Sequence, residues 1–159
     1  MNTLSGKKIL VTGGAGFIGS NLIKILLEKT NKKIISIDNY KYGSKKNQIN
    51  NKRVNYIKSD TKNVDKILKK YSNKIDSVFH FGEYARIHQS FKDYNECFSS
   101  NIIGTLRVLD FCKNNKIKII YSATSASLGN KGKDQYLSPY AYSKAQNLKM
   151  ITQLSKWFG

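Results

Sequence analysis

Tyr140 and Lys144 stand four residues apart, and on a helix that spacing stacks a phenol and an ammonium on one face, about 6 Å apart along the axis. Such a pair can move a proton. A phenol ordinarily ionises at about pH 10, so it acts as a base near neutrality only if a neighbouring positive charge loosens its proton. Lys144 supplies one such charge. The same spacing recurs at Tyr42 and Lys46, so position has to choose between the two pairs. Tyr42 follows the second apolar run in a polar stretch. Tyr140 opens a helical pattern after the fifth apolar run, on the carboxyl edge where open α/β sheets hold their ligands. Thr124 or Ser125, just past that run, offers a hydroxyl to orient a substrate oxygen.

A second constellation lies near the start of the chain, where Thr12-Gly13-Gly14-Ala15-Gly16-Phe17-Ile18-Gly19 joins an apolar run to an amphipathic stretch. Gly13 can make the tight turn, Gly16 lets the backbone approach a pyrophosphate, and Gly19 lets helix and strand pack closely. Backbone N–H groups at the start of the helix, helped by its dipole, then hold phosphates. Asp38 ends the next apolar run 19 residues after Gly19, near the separation of about 20 at which an acid accepts hydrogen bonds from an adenosine ribose. Its charge would repel a 2′-phosphate. The expected cofactor is therefore NAD, not NADP.

Positioning these groups requires strands alternating with crossover helices. Residues 7–12 (KKILVT), 33–38 (KIISID), 54–58, 75–81 (with 78–81 reading VFHF) and 117–122 (IKIIYS) read as five strands, the fourth expected to be central. Phe17, Ile18, Leu22, Ile25 and Leu26 mark a first helix over 17–28, and Val64, Ile67, Leu68 and Tyr71 a second. A long helix is expected over 93–113 with Phe98, Ile102, Thr105, Leu106, Leu109 and Phe111 inward, and a last one carries Tyr140 to Phe158 behind Pro139, whose fixed φ suits a first turn. Residues 39–51 are polar and predict a mobile surface connection. No repeat or linker divides the chain, so residues 1–159 read as one domain.

The formal charge of +18 comes from 25 Lys and only three Arg, spread along the chain without clustering. Recognition of phosphates and base edges favours the forked guanidinium, so the lysines read as a solvated surface and no specific nucleic-acid partner is expected. Lys, Asn and Ile together make up 59 residues, as AT-rich coding DNA would produce. No apolar stretch approaches the roughly 20 residues of a membrane span, and the short approach to the first strand leaves no room for a cleavable leader. A cytoplasmic protein without a membrane partner is expected. Cys97, Cys112, His80 and His88 do not form a metal-ligand pattern; two reduced thiols, a hydrogen-bonded structural His80 and no metal are expected.

These motifs together resemble the extended short-chain dehydrogenase/reductases, in particular the NAD-dependent sugar-nucleotide epimerase/dehydratase family. The likeness runs from Lys7 to about Phe158 through TGGAGFIG, the Asp38-Asn39 pair, Asp60, the strand ending at His80, Ser90, Asn101 with Gly104-Thr105, the Thr124 region and SPYAYSK. It implies a Rossmann-type doubly wound parallel sheet with helices on both faces. It also implies cofactor contacts from Gly13, Gly16, Phe17, Ile18, Gly19, Asp38, Asn39, Asp60, Phe81, Gly82 and Asn101. Thr124, Tyr140 and Lys144 would be catalytic, Lys144 also reaching the nicotinamide ribose. The implied activity is epimerisation of a nucleotide-sugar, a UDP-sugar above all, at C4, as in UDP-glucose 4-epimerase-like proteins. Dimers of this family commonly pair through the two long helices, so a homodimer is expected.

The chain also departs from the family pattern. Leu128 precedes Gly129 where a Tyr is usual, leaving Thr124 and Ser125 as competing hydroxyls. Phe81-Gly82-Glu83-Tyr84-Ala85 replaces the usual segment after the fourth strand and resembles a subgroup carrying GEY there. Asn147 stands where the helix of Lys144 often has an acid. Ser125 and Ala126 occupy the place of the acid with which dehydratases drive water loss, which favours an epimerase or simple oxidoreductase. The C-terminal substrate domain of the family has no counterpart in these 159 residues.

Overall fold

The computed structural model describes residues 7–125 and 129–159; Ala126 and Leu128 lie outside the described residues. Five strands, β1 (Lys8–Thr12), β2 (Ile34–Asp38), β3 (Val54–Lys58), β4 (Ile75–His80) and β5 (Lys118–Tyr121), form one sheet in the order β3-β2-β1-β4-β5. Every pairing is parallel. The middle strand is thus β1, and β4 lies between it and the edge strand β5, which corrects the expectation that β4 is central. Chain order reverses direction beside β1, and the loops leaving β1 and β4 diverge there to open a crevice at the carboxyl ends.

Strand alternation divides the core in two. Ile9 and Val11 of β1 and Ile34 of β2 pack with Ile23 and Leu26 of α1 (Phe17–Lys29). Leu10, Ile35, Ile37 and Val78 face the other way, onto α2 (Val64–Leu68) and the Val108, Phe111 and Cys112 side of α4 (Thr105–Asn115). α5 (Pro139–Phe158) packs on this second side against α3 (Tyr94–Phe98). It begins as the sequence suggests: Pro139 occupies the first turn and the Ser138 hydroxyl accepts from the Ala141 N–H at 3.0 Å, the side-chain cap that satisfies an otherwise orphaned donor.

Three expectations require correction. In α1 the buried residues are Gly19, Ile23 and Leu26, while Phe17, Ile18 and Ile25 are exposed; Phe17 and Ile18, in the first turn, face the crevice and not the core. The long helix exists, but residues 99–104 between α3 and α4 form a π-helical turn. Cys97, Asn101, Thr105, Val108 and Phe111 point inward, while Phe98, Ile102 and Leu106 are only half-buried. Finally, residues 39–51 are tied down: the Ser44 N–H and the Asn47 amide both donate to the Ala15 carbonyl, at 3.0 and 2.8 Å.

Candidate active site

The loop after β1 is shaped by steric necessity. Gly13 has φ +72°, and a Cβ there would lie 2.7 Å from the Phe81 backbone; one on Gly19 would lie 2.2 Å from the Gly13 carbonyl oxygen. Those contacts give the expected tight turn and the close approach of α1 to the strand. No side chain caps the first turn of α1, so its backbone N–H groups are available to a ligand. Gly13, Gly16, Phe17, Ile18 and Gly19 line a cleft of about 470 Å³, together with Asp38, Asn39, Asp60, Phe81, Gly82, Tyr140 and Lys144. That volume is within the range of small-molecule sites.

Asp38 is buried and its carboxylate braces the loops on either side, accepting from the Ala15 N–H at 2.9 Å and the Tyr40 N–H at 2.8 Å. A carboxylate has about four acceptor positions, so two remain for hydroxyl groups in the cleft. Asn39 donates to Asp60 at 3.2 Å, and Asp60 accepts from the Lys62 N–H at 2.9 Å, which fixes the next rim of the cleft. A bound dinucleotide fits this donor set: free amides for a pyrophosphate and an acid for ribose hydroxyls. Asn101 does not reach the cleft. It is fully buried behind the wall, accepting from the Tyr84 N–H at 2.6 Å and donating to the Tyr84 carbonyl at 3.2 Å and to Ser143 at 2.9 Å.

Proton counting orients the groups below the cleft. The Thr12 oxygen accepts from the Phe81 and Gly82 N–H groups at 3.2 and 3.0 Å, so its one hydrogen goes to His80 Nδ1 at 2.6 Å. His80 Nε2 then donates to Thr105 Oγ1 at 2.9 Å, and the Thr105 hydroxyl donates to Glu83 Oε1 at 3.0 Å. Burial lowers the His80 pKa to about 4. This neutral ring is the structural histidine expected from the sequence.

At the far end of the cleft Tyr140 hydrogen-bonds Thr124, whereas Ser125 is exposed. Lys144 is buried, forms an ion pair with Glu83 and donates to the Ser122 carbonyl at 2.6 Å. The ammonium expected to lower the tyrosine is thus shared with a carboxylate. Burial raises Tyr140 above its ordinary value; the Thr124 hydrogen bond opposes this, and the charge of Glu83 adds to it. Glu83 itself was visible in the sequence only as a departure in the GEY segment. Arg86 was missed as well: it lines the cleft with its guanidinium 5.7 Å from the Tyr42 ring centre, and Tyr42 meets Tyr84 edge-on at 5.5 Å. An Arg a few residues after a strand carries no signal of its own until loop 39–51 folds Tyr42 beneath it.

The NAD dependent epimerase/dehydratase family model matches residues 9–159. The chain belongs to that family. Among curated relatives, the dTDP-D-glucose 4,6-dehydratase of Dictyostelium discoideum is 38% identical over 133 residues, covering 78% of this chain and 30% of that protein. A UDP-N-acetylglucosamine 4-epimerase from Methanobrevibacter ruminantium M1, solved with UDP-N-acetylmuramic acid, is 32% identical with a TM-score of 0.83, covering 96% of this chain and 52% of that one. The UDP-glucose 4-epimerase of Thermus thermophilus, solved with NAD, is 26% identical with a TM-score of 0.81 over the same shares. The chain thus spans about half or less of these family members, and what it shares with the solved ones is the parallel sheet with its helices. Within the described residues no helix is long and apolar enough to cross a membrane.

Proposed function

We propose that the chain is the cofactor-binding part of an NAD-dependent nucleotide-sugar epimerase acting at the sugar C4 of a UDP-sugar. The observation that carries this reading is the convergence of the glycine loop, Asp38, Tyr140 and Lys144 on one cleft, with Thr124 hydrogen-bonded to Tyr140. When bound, NAD would supply the acceptor and then the donor of a hydride at the sugar carbon. The N–H groups in the first turn of α1 would hold its pyrophosphate, with Gly13 and Gly16 letting it approach the backbone and Phe17, Ile18, Gly19, Phe81 and Gly82 walling the cleft. Asp38 would hold the adenosine ribose, with Asn39 and Asp60 on the adenine side. Tyr140, as phenolate, would accept the proton of the sugar 4-hydroxyl and later give it back, while Thr124 steadies the same oxygen. Asn101 serves by fixing the Tyr84 backbone behind the wall.

Replacing Tyr140 with Phe in the full-length protein is expected to cut turnover of UDP-glucose by about 10²- to 10⁴-fold, with NAD binding retained. Unchanged turnover would remove Tyr140 from the role. The dehydratase relative favours a second reading, water loss from a dTDP- or UDP-sugar. Product analysis separates the two, since an epimer has the mass of its substrate and a dehydration product does not. A cofactor module without turnover would bind NAD while leaving UDP-glucose unbound and unchanged. We further propose that two copies pair through the π-helical turn, α4 and α5, where Ile102, Leu106, Met150, Leu154 and Trp157 line an apolar groove. Sedimentation of a Leu154→Lys variant as a monomer, beside a dimeric wild type, is the expected result.

A further inference from the structure

Glu83 is held by more partners than an ion pair requires. The side chains of Glu83 and Lys144 are 4% and 5% exposed. One carboxylate oxygen accepts from the Thr105 hydroxyl at 3.0 Å, the Tyr121 hydroxyl at 2.9 Å and the Asn147 amide at 2.9 Å; the other receives the ammonium of Lys144. Each neutral donor is itself oriented. Thr105 is committed by the hydrogen bond it accepts from His80. Asn147 gives its second N–H to the Asn101 carbonyl at 2.8 Å. Tyr121 is pushed up by burial and by Glu83, so it remains a donor. The carboxylate is therefore fixed by α4, β5 and α5 together.

The ammonium has three N–H groups. Among the described residues, two are directed to Glu83 and to the Ser122 carbonyl, and the charge sits 4.3 Å from the Tyr121 ring centre. We propose that Glu83 is a positioning residue for the Tyr140–Lys144 pair: an immobile counterion that fixes the ammonium on the Ser122 side of the cleft and holds its charge back from the Tyr140 oxygen. This rests on the reading of Tyr140 as the proton carrier. The groups that act on Tyr140 are Glu83 after β4, Cys97 on α3, Tyr121 on β5 and Thr124 after it, and Lys144, one turn further along α5, lines the same cleft. Glu83 is the anion among them.

Removing that charge while keeping the shape leaves Lys144 uncompensated beside the phenol, and the phenolate then forms at lower pH. The test follows tyrosinate absorbance against pH in the full-length protein, each variant being subtracted from its own Tyr140→Phe counterpart. Glu83→Gln is expected to move the midpoint down by about one pH unit or more. In a Lys144→Met background the same change is expected to move it less than half as far, because the part carried by the ammonium is gone. A folded Glu83→Gln protein with the wild-type midpoint, or equal shifts with and without Lys144, overturns the proposal. Should Glu83→Gln not fold, Glu83→Asp decides: its shorter carboxylate cannot reach all four donors, and a smaller shift in the same direction is expected, with none overturning the idea. The titration uses no turnover. A Tyr140→Phe enzyme of full activity would therefore defeat the proposed function and leave the Glu83 result standing.

Discussion

His80 and Lys144 are both buried bases, and the fold treats them oppositely. Lys144 is given a carboxylate; His80 is given two threonine hydroxyls and no partner for a charge. Its pKa falls from 6.5 to about 4 through burial, so between those values the unfolded chain binds a proton that the folded chain refuses. Stability should rise with pH through this window. It is lost as pH falls from about 6.5 and levels off near pH 4, where the folded ring also protonates, a span of about 3 kcal/mol. Urea unfolding at pH 7 and pH 4.5 should show the loss, and His80→Gln should flatten it. Residues of this kind mark the boundary of what the sequence discloses. Gly13, Gly19, Asp38, Tyr140 and Lys144 were legible because a turn, a close approach or an i,i+4 spacing is local. Glu83 was not, because its meaning comes from Thr105, Tyr121, Lys144 and Asn147, which meet only after the chain has folded.

At the level of elements, the π-helical turn at 99–104 explains why the long helix was found but its inner face was misjudged. An α-period rotates about 100° per residue, and a single wide turn adds one residue to the count. Continuing the period across it brings Ile102 and Leu106 inward, where the structure buries Asn101 and Val108 beside the expected Thr105. The polar Asn101 then acts as a bracket between α4, α5 and the loop after β4, through Tyr84 and Ser143. Asn101→Ala leaves the buried N–H and carbonyl of Tyr84 without their partner, at a cost of about 1–3 kcal/mol each. Guanidinium unfolding should register a loss of that order, and NAD affinity should fall with it as Tyr84 and Glu83 lose their mounting. Strand order shows the same limit. The five strands were legible from their apolar runs, but the place of β4 beside β1 is decided by crossover packing, on which a linear pattern is silent.

For the molecule as a whole, charge and sheet geometry pull in different directions. The +18 charge keeps copies apart at low ionic strength and raises the encounter rate with anionic nucleotides, both effects fading as salt screens them. The sheet, by contrast, ends on β5, and among the described residues no strand pairs with its outer side. Ile120 on that strand is 36% exposed. A row of unpaired amides and carbonyls beside an apolar side chain is a template on which another copy can lay its own edge. For a sample of these 159 residues alone, the practical outcome is colloidal: clear at low salt, turbid as salt rises and repulsion weakens. Light scattering against salt concentration would show it, and Ile120→Lys, which puts a charge on the rim of the sheet, should move the onset of turbidity to higher salt.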